Sequence, residues 1–354
     1  MANKRKKTRR QKLSWPTRLL IFLIIAGLLA SIVVAILNLR PAGAGSVIDS
    51  NWKTPSYLRD KTMNILVCGV DLDEDRNAAM TDVLMVVSLN MEDSKATIMQ
   101  IPRDTYVGED LVQTGKINAL YNWGYKDGSK KDGLAALVET INDQFKLPID
   151  NYVMITMEGF RKAIDLLGGI DITLSEKMVI NLKDKNENII GTETFDVGVN
   201  HLDGVKADLF VRNRDYASAD IARMKVQRIF MAALFNKLTT TSTMNLASAV
   251  NSVYEYLETD FTIGEILQLL KETKALSGDS IKTVRIPGEP VAKYGKYGLD
   301  VYTVHKKELA DILNKYMRPY ADAVPETELN VIQIQKTTDW YDEEGSSLEE
   351  YTGG

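Results

Sequence analysis

The chain has little cysteine and little histidine. Cys68 is the only cysteine among 354 residues, and His201 and His305 are the only histidines. A single thiol excludes an intramolecular disulfide and a zinc site built on cysteines. We expect Cys68, inside the apolar run 65–70, to be a small buried hydrophobic residue. Two histidines about a hundred positions apart argue against histidine-centred catalysis and against a multi-histidine metal site.

Acidic residues are absent from the first 40 positions, which carry nine of the 43 lysines and arginines. Subtracting those nine leaves 34 basic residues against 48 acidic ones in the rest of the chain. A body with this excess of negative charge repels nucleic acid at long range, so we predict no nucleic-acid partner. The hydrophobic content of 45% allows a large core, and the length predicts one or two globular domains.

The amino-terminal region predicts a membrane anchor. Residues 1–18 hold eight of the basic residues, and residues 19–39 carry no charge, a stretch that spans about 31 Å as a helix. We therefore predict a basic cytoplasmic tail at 1–18, a transmembrane helix at 19–39 and an extracytoplasmic body on a single-pass protein of the cell membrane. The alternative is a signal peptide cleaved near Ala42-Gly43-Ala44. The apolar run exceeds the roughly 7 to 15 residues usual for signal peptides, which favours the retained anchor.

The remaining chain predicts a layered α/β domain. A linker at 40–62 precedes a body at 63–335, and 336–354 is predicted to be an acidic, flexible and solvated tail. Strands are predicted at 64–70, 83–89, 96–101, 152–156 and 170–174, with a hairpin or lid at 177–199. Helices are predicted at 117–123, 133–145, 157–167, 219–237, 244–257, 263–276 and 304–316. Interleaved strands and helices indicate a mixed central β-sheet flanked by helices.

Three arginines and one glutamine point to an anion site. Arg212 and Arg214 are two apart in a segment predicted to be extended, so both would leave the same face of a strand. A helix predicted to begin near Asp220, a candidate N-cap, places Arg223 and Gln227 four apart on one face. Guanidinium groups form paired hydrogen bonds with phosphate oxygens, so this set suits a phosphate or pyrophosphate. The alternative is a set of ordinary surface polar residues.

Two aspartates flank the loop between the first two predicted strands. Asp71 ends the first strand and Asp82 precedes the second. If these strands are neighbours, the two carboxylates lie close together and need a cation between them, for which Mg²⁺ with a phosphorylated substrate is the natural candidate. Calcium is disfavoured because the spacing does not follow an EF-hand loop. The alternative is a solvated acidic loop, because Asp73, Glu74 and Asp75 lie in the same segment.

Arg103 and Lys116 extend the same theme of charged residues at loop ends. Pro102 stops the third strand and delivers Arg103 to the following loop, where a salt bridge to a neighbouring acid such as Asp104 is the alternative role. Lys116 comes just before a predicted helix, where exposed N–H groups favour anions.

Taken in order, these motifs resemble the LytR-CpsA-Psr family of envelope proteins. The resemblance is close over residues 64–238. The matching elements are NILVCGVD at 64–71, TD at 81–82, IPRDTY at 101–106, KIN at 116–118, EGF at 158–160, LGGID at 167–171, HLDG at 201–204 and R-x-R at 212–214 followed by R-x-x-x-Q at 223–227. A membrane anchor with an external body is also the layout of this family.

The resemblance implies a phosphotransferase. Asp71 and Asp82 would hold Mg²⁺, with Arg103 as the third catalytic residue. Family members move a glycopolymer phosphate from a polyprenyl pyrophosphate to a peptidoglycan hydroxyl and release the lipid monophosphate. The residues expected to bind the pyrophosphate are Arg103, Lys116, Arg212, Arg214, Arg223 and Gln227. The family often has an Arg-Ser-Asp-Thr type of sequence where this chain reads Ala79-Met80-Thr81-Asp82-Val83, which affects the fine geometry of the metal site.

A different class of function shares the same binding features. A non-catalytic envelope receptor or regulator of the transcriptional-attenuator type would bind the lipid-linked glycan and signal inward through the basic segment. Direct DNA contact is disfavoured, because the predicted cytoplasmic part is short and no helix-turn-helix pattern is present. The general base, the residues of a lipid slot and the identity of the glycopolymer, whether teichoic acid, capsule or another polysaccharide, stay unassigned.

Overall fold

The structure is a computed structural model that describes residues 48–59, 61–73, 78–122, 130–183, 188–212, 219–240, 254–266, 278–338 and 345–347. The predicted cytoplasmic tail and anchor at 1–39 lie outside the described residues, so both stay predictions. No helix within the described ranges has the length and apolar character needed to cross a membrane.

A mixed seven-stranded sheet forms the centre of the fold. Its order is β13-β10-β3-β2-β1-β4-β9, with β1 parallel to β4 and β3 parallel to β10, and the other neighbours antiparallel. This confirms the predicted α/β fold with a mixed central sheet. The strands are β1 (Thr62–Asp73), β2 (Ala78–Asn90), β3 (Lys95–Gln100), β4 (Asn151–Thr156), β5 (Ile170–Leu174), β6 (Met178–Lys183), β7 (Ile189–Phe195), β8 (Gly198–Leu202), β9 (Leu257–Thr259), β10 (Ile281–Arg285), β11 (Gly288–Tyr294), β12 (Leu299–Val304) and β13 (Ser346–Ser347).

Helices cover both faces of the sheet. They are α1 (Lys130–Phe145), α2 (Met157–Leu166), α3 (Gly204–Arg212), α4 (Ala219–Thr240) and α5 (Lys306–Ile312), the last running into a π-helical turn at Leu313–Met317. Ile65 and Val67 of β1 join one core with α2, α3 and α4, and Leu66 and Cys68 join a second core with α1 and α5. A central strand buried on both faces explains the uninterrupted apolar run at 65–70.

Three two-stranded ribbons lie outside the central sheet. They pair β5 with β8, β6 with β7, and β11 with β12, all antiparallel. The β6–β7 pair is the hairpin predicted at 177–199. Gly168 and Gly169, both with positive φ, follow α2 and lead into β5, between the helix predicted at 157–167 and the strand predicted at 170–174.

Helix α3 replaces the strand that we predicted around Arg212. Val211 and Arg212 are the last residues of α3, so the extended conformation predicted there was wrong. The buried residues Ala207, Phe210 and Val211 recur at the three- and four-residue spacing of a helical stripe. This helical stripe continues to Val211 and therefore carries the helix to Arg212.

The carboxy-terminal half also differs from the prediction. Leu257, the last residue of the helix predicted at 244–257, instead begins β9. Residues 244–253 of that helix and 267–276 of the helix predicted at 263–276 lie outside the described residues. Strands β10 to β12 were not predicted. Helix α4 starts at Ala219, which places Asp220 within its first turn rather than at the N-cap. Of the predicted tail at 336–354, the structure describes 336–338, which are exposed, and 345–347. Thr337 donates two hydrogen bonds to Glu289, and β13 pairs with β10 at the sheet edge.

Candidate functional site

A β-bulge positions the two predicted aspartates. The register of β1 and β2 shifts between Gly69 and Val70, which leaves Asp82 as the extra residue on β2. Asp71 lies opposite Met80, so the two carboxylates come from neighbouring strands at nearby register positions. Bulges bend a strand locally and redirect its side chains. The sequence predicted the neighbouring strands but gave no sign of the bulge.

Each aspartate is paired with an arginine. Nη1 of Arg103 lies 2.6 Å from Oδ1 of Asp82, with the two side chains 17% and 8% exposed. Arg212 donates a short hydrogen bond to Asp71, and both of these side chains are about one-third exposed. Arg103 also lies near Asp104, with Nε to Oδ2 at 3.5 Å, so the alternative role predicted for Arg103 coexists with the first. The two arginine–carboxylate pairs, built from four segments, therefore lie at the same end of the β1–β2 pair.

Arg103 lies in the loop after β3 and is held in place by a backbone hydrogen bond with Asn118. The carbonyl of Arg103 accepts a hydrogen bond from the N–H of Asn118, and the carbonyl of Asn118 accepts one from the Thr81 hydroxyl at 3.4 Å. Lys116 donates to Oδ1 of Asp104 at 2.8 Å. The Lys116 ammonium is therefore linked to Arg103 through Asp104 rather than placed on Asp71 or Asp82.

Gln227 is buried beside the site but faces an apolar cavity. Its amide nitrogen lies 3.4 Å from the Val211 carbonyl, one residue before Arg212. Arg214 lies outside the described residues. Arg223 lies on α4 one turn before Gln227, and only its backbone is described. The predicted phosphate-binding roles of these two arginines stay predictions.

Asp208 and Arg161 were not predicted and join the site. Oδ1 of Asp208 lies 3.8 Å from Nη1 of Arg212, and its Oδ2 lies 3.5 Å from Nε of Arg161. Burial raises the pKa of Asp208, while the two arginines act to lower it. The Asp208–Arg212 spacing of four residues could have revealed this pair, but only on a helix, and we had predicted a strand.

An apolar cavity of about 110 Å³ lies between the sheet and the helices. Val83, next to Asp82, and Val211, next to Arg212, both line it. The cavity is therefore lined by the immediate chain neighbours of Asp82 and Arg212. Its other lining residues are Val67, Met85, Val87, Ile155, Phe160, Gln227, Phe230, Met231 and Leu234.

A second cavity of about 410 Å³ adjoins the same centre from another side. It lies beyond the ends of β1 and β4, against the first turns of α2 and against β9. Asp71 lines it together with Tyr121, Glu158, Arg161 and Glu258. We name this cavity the acidic cleft.

The carboxylate pair fits a magnesium ion only together with ligand oxygens. Across the described ranges, there is no cluster of three or more His, Cys, Asp or Glu side chains that could hold a metal. Mg²⁺ commonly binds one or two protein carboxylates and takes its remaining ligands from substrate phosphates and water. Asp71 and Asp82 supply a donor set of that kind.

Residues 42–318 match the sequence model of the LytR-CpsA-Psr family, described as the LytR_cpsA_psr family. The chain belongs to this family. One relative is the polyisoprenyl-teichoic acid–peptidoglycan teichoic acid transferase TagU of Oceanobacillus iheyensis, which is 30% identical over 234 residues, covering 66% of this chain and 69% of the relative.

Solved structures share the fold of this LytR-CpsA-Psr protein. The crystal structure of TagV from B. subtilis aligns with a TM-score of 0.60 and 25% identity, over 75% of this chain and 99% of that one. A structure of TagT bound to LIIa-WTA aligns with a TM-score of 0.55 and 19% identity, over 77% of this chain and 92% of that one. The second likeness concerns the fold alone.

Replacing Asp208 with asparagine should show whether Asp208 positions the two arginines for activity or instead stabilises the fold. Asparagine has nearly the same shape but lacks the charge that faces Arg212 and Arg161. We expect turnover to fall about tenfold, corresponding to about 1.4 kcal/mol of transition-state stabilisation. The melting temperature should change little, because the lost attraction to the two arginines is offset by removing a carboxylate whose burial is unfavourable. Steady-state transfer rates and thermal melts would measure both effects.

A matched control is Asp311→Asn, which removes an exposed carboxylate paired with Lys307 on α5. This control should leave both turnover and melting temperature unchanged. Full activity of Asp208→Asn would contradict a positioning role for Asp208.

Proposed function

We propose that this protein is a membrane-anchored, Mg²⁺-dependent phosphotransferase. It moves a glycopolymer phosphate from a polyprenyl-pyrophosphate carrier to a peptidoglycan hydroxyl and releases polyprenyl monophosphate. The observation that carries the proposal is that two arginine–carboxylate pairs lie at one end of the β1–β2 pair, next in sequence to residues that line an apolar cavity. The name of the TagU relative supports teichoic acid as one class of polymer to test.

The apolar cavity is the proposed entrance for the lipid tail. Its volume of about 110 Å³ is well below the roughly 300 to 1,000 Å³ of typical ligand pockets. A polyprenyl chain therefore requires α2 and α4 to move away from the sheet. Met231, Phe160 and Phe230 line the helical side, and the unbranched Met231 side chain can repack with little strain.

The arginines would exchange partners when substrate binds. In the structure, Arg103 and Arg212 are neutralised by Asp82 and Asp71. A pyrophosphate diester carries one negative charge on each of its two phosphoryl groups, so each guanidinium could exchange its carboxylate for a pair of phosphoryl oxygens. A bound Mg²⁺ would be held by Asp71 and Asp82 and would stabilise negative charge on the phosphoryl oxygens. The protein's own part in phosphoryl transfer is to position the groups and neutralise their charge.

The predicted location makes this chemistry reasonable. Outside the membrane there is no supply of nucleoside triphosphates, so a ligase there needs a donor activated in advance. A lipid pyrophosphate meets that need, because departure of the lipid monophosphate drives transfer to the hydroxyl. The group that accepts the hydroxyl proton stays unassigned, since metal coordination would lower the basicity of either aspartate.

Native mass spectrometry of the full-length chain, extracted in mild detergent, tests the proposal. We expect a co-purifying polyprenyl phosphate. Adding a lipid-linked glycopolymer, Mg²⁺ and peptidoglycan should then attach polymer to peptidoglycan, and a chelator should stop attachment until Mg²⁺ is restored.

The two parts of this experiment separate the possible functions. Bound lipid without polymer attachment in the presence of Mg²⁺ would identify the receptor alternative instead. Absence of both lipid and attachment would reject the proposed substrate class.

A further inference from the structure

The acidic cleft has the chemistry of a saccharide site rather than of a phosphate site. Four carboxylates and one guanidinium are among its lining residues. Carboxylate oxygens accept hydrogen bonds from hydroxyl groups, and a tyrosine offers a flat apolar face with a polar tip. Those two features suit the hydroxyl groups and the C–H faces of a sugar ring. The lining residues that carry this chemistry are Asp71, Tyr121, Glu158, Glu255, Tyr256 and Glu258.

Contacts within the cleft hold these groups in place. The hydroxyl of the buried Tyr121 lies 3.3 Å from a carboxylate oxygen of Glu258. Tyr256 accepts a short hydrogen bond from Lys162, whose ammonium also lies 4.1 Å from the Tyr256 ring centroid. Glu158 is exposed in the first turn of α2, where its carboxylate can turn toward a bound molecule. The cleft therefore offers both fixed and adjustable acceptors.

The cleft is continuous with the centre proposed for phosphoryl transfer. Asp71 lines the cleft and is also paired with Arg212. Arg161 lines the cleft and is linked through Asp208 to the same Arg212. A molecule in the cleft would thus lie beside the proposed phosphate site, in a cavity that contains Asp71, whereas Asp71 does not line the apolar cavity.

Two saccharides could lie in the cleft, the donor polymer and the acceptor strand, and the charge of the cleft distinguishes between them. A phosphate-rich donor polymer is a polyanion, and a cleft with four carboxylates and one guanidinium repels it. An uncharged sugar meets no such repulsion and can donate its hydroxyl hydrogens to the carboxylates. Electrostatics therefore favours the acceptor over the donor.

We propose that the acidic cleft binds an uncharged, hydroxyl-rich saccharide of the acceptor strand and presents its hydroxyl to the phosphates at Arg103 and Arg212. This inference rests on the proposed function for the identity of the acceptor. The binding of an uncharged saccharide can be measured without any transfer reaction.

Calorimetric titration of the full-length chain in detergent with the tetrasaccharide of N-acetylglucosamine tests the inference. Glu158→Gln and Glu258→Gln should each weaken binding of this probe by about tenfold, because each removes a charged hydrogen-bond acceptor. Glu158→Gln lies on an exposed helical turn, so its effect does not depend on the packing around Tyr121. Glu326→Gln, at an exposed position outside the cleft, is the matched control and should bind like the wild type.

Kinetics then distinguishes the acceptor from the donor. In the transfer assay, both cleft variants should raise the KM for the acceptor by about tenfold and leave the KM for the donor within about twofold. A rise in donor KM alone, unchanged tetrasaccharide affinity in both variants, or no binding by the wild type would each overturn the inference. If the wild type shows no transfer but tetrasaccharide binding is lost in the variants, the proposed function fails and the saccharide site stands.

Discussion

Replacing Arg103 with alanine is expected to lower the turnover of glycopolymer transfer by about 100-fold or more, as does loss of one oxyanion donor in other enzymes. This corresponds to about 2.7 kcal/mol of transition-state stabilisation. Arg103 is largely buried and its guanidinium lies 2.6 Å from the Asp82 carboxylate. Removing it would take away the guanidinium that contacts Asp82 and one of the proposed donors to the phosphates. Arg212→Ala should have a similar effect, through Asp71.

The turnover of variants at position 103 should depend on the shape of the side chain as well as on its charge. Arg103→Lys keeps a positive charge but replaces the planar fork by a point donor, so we expect an intermediate loss. If only the positive charge mattered, Arg103→Lys would instead have the turnover of the wild type. The comparison of alanine with lysine at position 103 therefore reports whether paired hydrogen bonds to phosphate contribute to turnover.

Steady-state transfer by full-length variants would measure these losses. Arg59→Ala is a matched control: Arg59 is exposed and donates to the Thr54 carbonyl, away from the site. It should change turnover by less than about twofold. Unchanged transfer by both Arg103→Ala and Arg212→Ala would count against the enzyme and favour the receptor alternative.

The central sheet could be predicted because its inner strands are buried on both faces. The apolar runs of β1 and β2 are short and continuous, and runs of that kind are typical of strands buried on both faces. Strands β11 and β12 were not predicted because their ribbon carries exposed charged residues, Lys293 and Asp300, and because the buried Glu289 interrupts its apolar pattern. The strand predicted around Arg212 was wrong because two-residue spacing over so short a segment does not exclude a helix.

The site could be predicted as a set of residues but not as an arrangement. Asp71 and Asp82 were expected to share a cation, and Arg103 and Arg212 to bind an anion, whereas the structure pairs the carboxylates with the arginines. The bulge at Asp82 depends on strand register, which sequence spacing does not reveal. The acidic cleft joins segments near positions 71, 121, 158 and 258, and only folding brings them together.

Replacing Asp150 with alanine should be the most destabilising single change considered, at roughly 3 to 5 kcal/mol. Asp150 is buried just before β4 and accepts three hydrogen bonds: from the Thr54 N–H at 2.8 Å, from the Thr54 hydroxyl at 2.7 Å and from the Asn64 N–H at 2.8 Å. Alanine would leave these buried donors without an acceptor and would loosen the amino-terminal segment from β1 and β4. Urea unfolding of wild type and variant would measure the loss.

Asp143→Ala is the matched control for this loss. Asp143 is exposed and pairs with Lys146 and Asn330 at the surface, so its removal should cost less than about 1 kcal/mol. Equal losses at positions 143 and 150 would contradict the role assigned to the buried hydrogen bonds.

The pH dependence of the Asp150 effect should show which force dominates there. Burial raises the pKa of Asp150 above its ordinary value of 3.8, although its hydrogen bonds with Asn64 and Thr54 act to lower it. A carboxyl group with a raised pKa in the folded state contributes its full stability below 3.8, and that contribution falls as the pH rises through the folded-state pKa. The gap in unfolding free energy between wild type and Asp150→Ala should therefore be largest in acid and narrow as the pH rises. A gap that widens with pH would mean that the three hydrogen bonds outweigh desolvation.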